Sequence, residues 1–120
     1  MKLEERVVGL ELAKKMEELG FKQESLWYWV HIVRDDGTDR WDLVIKNNAE
    51  FMAKEWKYEI VSAFTVAELG EMLPYGVTSF KFGLNDWRIW TDVNKTNFEQ
   101  SETEANARAK MLIYLKERGI

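Results

Sequence analysis

From Leu26 to Lys46 the chain reads LWYWVHIVR, then DDGTD, then RWDLVIK, and no other stretch narrows the available folds as much. Aromatic and β-branched residues fill both flanks without the three-and-four spacing of a helix, and Asp35-Asp36-Gly37 between them is a turn signal. The segment is therefore read as a β-hairpin. Alternation along its first strand puts Trp27, Trp29 and His31 on one face and Tyr28, Val30 and Ile32 on the other, so both faces are apolar. Either helices cover one side and the Asn47 to Tyr58 segment the other, or one aromatic face is left for a partner.

The rest of the chain supplies what such a hairpin needs. Residues 3 to 19 carry Val8, Leu12, Met16 and Leu19 at helical spacing, with Gly20 as the stop. Asn47 to Tyr58 has no firm period and reads as either a short helix or a loop. Ile60 to Phe64 looks extended, Thr65 with Glu68 forms a capping box, and Pro74 ends the short helix that follows. Val77 to Phe82 and Asp86 to Val93 form a second predicted hairpin, and Asn94 to Gln100 is read as a loop. Ser101 with Glu104 is a further capping box, opening a helix to about Arg118. Met111, Leu112, Ile113, Leu115, Ala105 and Ala109 cover a wide arc of that helix, which is expected to lie across the sheet, with Lys116 extending its stem to keep the ammonium in water. The expected architecture is α+β: one antiparallel sheet of four to five strands, made from two hairpins, packed against N- and C-terminal helices. All 120 residues are assigned to a single domain.

Composition excludes several kinds of chemistry. With no cysteine and one histidine, the chain offers no disulfide, no thiolate nucleophile and no cysteine-ligated metal. Asp35, Asp36, Asp39 and Asp42 form the one acidic cluster near a turn, but their spacing is not that of a calcium loop. Neither phosphate-binding glycine motif is present. No cofactor and no metal are expected. A net charge of −4, with lysines and arginines scattered among acids, gives no footprint for nucleic acid. Acids interrupt the first apolar run, and no run approaches the roughly 20 apolar residues of a membrane span, so the expected location is the cytoplasm, away from membranes.

Four residues stand out as candidate binding groups: Trp29, His31, Arg88 and Trp90. His31 could serve as a general base beside Asp42 across the hairpin, against a structural reading as a half-buried sheet histidine. Five of the six tryptophans fall on predicted strands. On the last of these, Asp86, Arg88, Trp90 and Asp92 share a charged face. Trp90 is thus expected partly in solvent beside Arg88, the composition of a binding hot spot or of an intramolecular cation–π pair.

The segments LGFKQESLWYW (19 to 29), AFTVAELGEMLP (63 to 74) and EANARAKMLIYLKERG (104 to 119) resemble, in the same order, a group of small bacteriophage and prophage proteins of unknown function. The resemblance implies a mobile-element origin in a bacterial cytoplasm and brings no activity or catalytic residue with it. Taken together, the aromatic candidates and the missing catalytic set point to a non-enzymatic protein-binding module. The alternative is a small-molecule or carbohydrate binder that stacks ligands on tryptophan, and an enzyme using His31 comes third. A homodimer through an exposed strand or aromatic face is a further expectation.

Overall fold

A computed structural model describes residues 2–74, 77–91 and 98–119, with the side chains at 78, 90, 91 and 98 outside that description. The chain is α+β, and all strand pairing among the described residues is antiparallel. The expected single sheet is instead two three-stranded sheets. The first has the order β2-β1-β3, from β1 (Trp27–Val33), β2 (Asp39–Ile45) and β3 (Ile60–Ser62); the second has the order β4-β5-β6, from β4 (Val77–Gly83), β5 (Asp86–Thr91) and β6 (Phe98–Ser101).

Two local features keep the sheets apart. The outward N–H of Ser62 on β3 donates to Gln23 Oε1 at 2.8 Å, so a side chain closes that edge where another strand would have paired. Thr65 then caps α4 (Val66–Met72) with both bonds of the predicted box, Glu68 N–H to Thr65 Oγ1 at 3.2 Å and Thr65 N–H to Glu68 Oε1 at 2.8 Å. The chain turns away from the first sheet before β4 begins.

Helix α5 (Glu104–Glu117) fills the space between the sheets. Ala105, Ala109, Leu112 and Ile113 join a core with Phe64, Val61 and Leu69, while Ala107, Met111 and Leu115 join a second core with Ile89. This explains the arc that is too wide for a surface helix: α5 is buried on two sides, one toward each sheet. The helix starts two residues later than the predicted capping box sets it. Ser101 belongs to β6, and the cap is Thr103, whose Oγ1 accepts from Asn106 N–H at 3.2 Å. Residues 98–100, expected in a loop, form the edge strand β6 together with Ser101 because they pair with β5 at Trp87 to Trp90; the remainder of that expected loop, 94–97, lies outside the described residues.

At the N-terminus the single predicted helix is two, α1 (Leu3–Arg6) and α2 (Leu10–Glu18). Val7 and Val8 are fully buried between them, Val7 bridges to Thr65, and the Gly9 N–H donates to Asn106 Oδ1 at 2.7 Å. Buried valines and a tertiary partner for the Gly9 amide outweigh continuation of the helix through a glycine, which costs about 1 kcal/mol relative to alanine. The segment left open between helix and loop is α3 (Lys46–Trp56), which sets Ala49 and Met52 against Tyr28 and Val30. Both faces of the first sheet are therefore covered, by α3 on one side and by α2, α4 and α5 on the other.

The layers run α3, first sheet, helices, second sheet. Placing the sheets on either side of α5 elongates the molecule, with a radius of gyration of 15.3 Å against about 14 Å for a compact chain of this length.

Candidate functional site

The four sequence-derived candidates separate into two groups on different sheets. Trp29 and His31 lie on the helix-covered face of the first sheet. The Trp29 indole N–H donates to the Val8 carbonyl at 2.9 Å and its ring packs against the core, so this side chain is committed to the fold.

His31 is half-buried, and its carboxylate partner is Asp39 rather than Asp42, with Nε2 2.5 Å from Asp39 Oδ2. Register explains the difference. Asp42 sits opposite Val30 on the other face and pairs with Arg40 at 2.9 Å, while Asp39 shares the His31 face. The imidazole also stacks on Trp41, centroids 4.7 Å apart and planes within 8°, and Lys14 Nζ lies 4.8 Å from the Trp41 ring centroid. This layered arrangement staples α2 to the hairpin. At the hairpin tip, the Thr38 hydroxyl and N–H both donate to Asp36 Oδ1, at 2.6 and 3.0 Å, and hold its carboxyl below the usual range. Among the described residues no group of three potential ligands could hold a metal ion.

Arg88 lies on the opposite side of the molecule, on the face of the second sheet turned away from α5. Alternation sends Trp87 and Ile89 inward and places Arg88 outward, opposite Phe80 on β4 and Gln100 on β6. Its guanidinium is 4.4 Å from the Phe82 ring centroid and is oriented by Asp86, with Nη2 to Oδ2 at 3.2 Å. Asp86 Oδ1 also accepts from Gln100 Nε2 at 3.1 Å. The carboxylate fixes the arginine's plane, and the phenylalanine supports one of its faces.

Phe80 and Phe82 are 44% and 55% exposed and meet edge-to-face at 6.4 Å, and Leu84 at the adjoining turn is 86% exposed. Register puts positions 90 and 98 on the same face, as neighbours of each other. The expected exposure of the Trp90 side chain beside Arg88 lies outside the described residues. Arg88 was among the sequence-derived candidates, and Phe80, Phe82 and Leu84 were not. The two-residue spacing of Phe80 and Phe82 was the available signal for the face that Arg88 shares, whereas Leu84 follows the bulge between Lys81 and Gly83 and borders a cleft with Lys81 and Trp87.

A second exposed aromatic group, also overlooked, occupies the end of α3. Phe51 and Trp56 meet edge-to-face at 5.5 Å, and Trp56 meets Tyr58 at 5.7 Å. The helix ends at Lys57 in the left-handed region, φ 60°, which turns the chain sharply between Trp56 and Tyr58.

Beside the second sheet lies a cleft of about 210 Å³ lined by Glu5, Lys81, Trp87, Glu102, Thr103 and Glu104, among others. It falls below the roughly 300–1,000 Å³ of small-molecule sites, and Lys81 already lies over the Trp87 ring at 6.0 Å. No helix among the described residues is long and apolar enough to cross a membrane. Compared with protein-family models, curated proteins and solved structures, the chain matched none.

Proposed function

We propose that this chain is a protein-binding module and that the outward face of the second sheet is its contact surface. The observation that carries this reading is the pair Phe80 and Phe82, exposed alongside an arginine held flat by Asp86. Aromatic and arginine side chains with restricted freedom lose little entropy on docking, and they dominate measured binding hot spots. The resemblance to phage and prophage proteins makes a bacterial host protein, met in the cytoplasm, the partner class of choice. The alternative of a ligand stacked on tryptophan receives less support, because Trp29 and Trp41 pack against the first core and Trp87 against the second.

Immobilised wild type tests the proposal against bacterial lysate, beside Phe82→Ala/Arg88→Ala and a Phe51→Ala/Trp56→Ala control. A protein retained by wild type and control at full yield, and reduced at least about tenfold by the first pair, is the expected result. Equal retention by all three, or retention by none, would overturn the reading. Phe51, Trp56 and Phe82 are exposed and Arg88 is partly so, and matching urea midpoints will verify that the variants are folded.

A further inference from the structure

The two edges of the first sheet differ. On β3, Gln23 caps the outward Ser62 N–H, as described above. On β2 no such side-chain cap is present among the described residues. Arg34 N–H donates to Thr38 C=O at 2.8 Å and Lys46 N–H to Leu26 C=O at 2.9 Å, so the even-numbered residues of the hairpin exchange its hydrogen bonds. His31 N–H donates to Glu59 C=O, confirming that odd-numbered residues of β1 address the other neighbour. It follows that the N–H and C=O groups of Asp39, Trp41 and Leu43 point away from the sheet, and they make no hydrogen bond among the described residues. Strand β2 carries no proline and no bulge, two of the features that natural edges use to block pairing, and its charged residues Asp39, Arg40 and Asp42 are of both signs, so they can be set against one another as well as repel.

We infer that this open edge is a homodimer interface, in which β2 pairs antiparallel with β2 of a second copy about a two-fold axis at Trp41. Charge selects both the occupant and the register. An axis at Arg40 or at Asp42 sets each against its own copy, and an axis at Asp39 opposes two aspartates. An axis at Leu43 sets Arg40 against Lys46. Like charges directly opposite each other are destabilising.

Of the axes from Asp39 to Leu43, the one at Trp41 alone avoids every such clash, and axes at Val44 or Ile45 pair at most three residues of β2. It places Arg40 opposite the second copy's Asp42, twice by symmetry, in the close non-hydrogen-bonded pairs. Both side chains are accessible there, Arg40 at 56% and Asp42 at 40% exposure, and their present ion pair within one strand can be exchanged for the intermolecular one. Trp41 pairs with itself, and Asp39 with Leu43, through the outward main-chain groups. The product is one continuous six-stranded sheet in the order β3-β1-β2-β2-β1-β3.

The test is a charge exchange read by sedimentation across a micromolar to hundred-micromolar range. Wild type is expected to dimerise reversibly. Arg40→Glu and Asp42→Arg, each placing like charges across the interface, should weaken association about tenfold or more. Mixing the two variants should restore a heterodimer, and Arg40→Glu/Asp42→Arg in one chain should restore the homodimer. Because unfolded single variants could not produce the heterodimer, the mixture also controls for folding. A monomeric wild type throughout the range, dimers indifferent to the single substitutions, or a mixture that fails to associate would each overturn the inference.

Discussion

Arg108 shows how much of the fold depends on a single residue. Its Nη1 donates to the Val66 carbonyl at 3.0 Å and its Nη2 to Glu104 at 2.9 Å, while its Nε is buried with no partner among the described residues. The guanidinium can lie on α4 only because Gly70 has no side chain: a Cβ there would stand 2.3 Å from Nη1. Gly70→Ala should therefore destabilise the protein by about 1 kcal/mol, since a charged hydrogen bond of about 1.5–3 kcal/mol is lost and about 1 kcal/mol of helix propensity is gained. In an Arg108→Ala background the same change should become neutral or stabilising. Urea denaturation of the four proteins in this cycle measures the coupling, and equal costs in both backgrounds would rule out the clash. Neither residue stood out in the sequence, because a glycine inside a helical pattern and an arginine among alanines acquire meaning only from each other's position.

At the level of elements, local signals were legible where they were complete within a few residues. The first hairpin, the Thr65 capping box and the burial of the α5 arc all follow from short-range pattern. Boundaries set by distant contacts were not legible. The break at Gly9 depends on Asn106, and the α5 cap passed from Ser101 to Thr103 because β6 drew Ser101 into a strand. Thr103→Ala should cost about 1 kcal/mol of stability, and Ser101→Ala distinctly less. Thermal or urea unfolding that ranks them the other way would return the cap to Ser101. The same reasoning applies to the candidate surface. Arg88 was visible as a charged residue on a strand, whereas the exposure of Phe80 and Phe82 depends on which face of β4 meets α5.

For the whole molecule, the division into two sheets was hidden because strand counting reveals how many strands exist and not which edges are closed. Both sheets rest on α5, so damage to that helix should reach both. Met111, fully buried against Ile89, offers the test. Met111→Ala should cost about 2–5 kcal/mol, and hydrogen exchange should then show amides of β1 and β5 losing protection by the same factor. Loss confined to β4, β5 and β6 would mean that the sheets open as separate units.

The position of α5 in the chain carries one more consequence. It follows every other element in sequence yet forms the wall between both cores, and the Gly9–Asn106 bond spans 97 positions. On a translating ribosome both hairpins emerge early, but their apolar faces cannot be fully covered until residues 104–117 clear the exit tunnel. Synthesis therefore sets the schedule: strands with exposed tryptophans wait for the helix that will cover them, and the protein completes its fold only once this segment has left the exit tunnel.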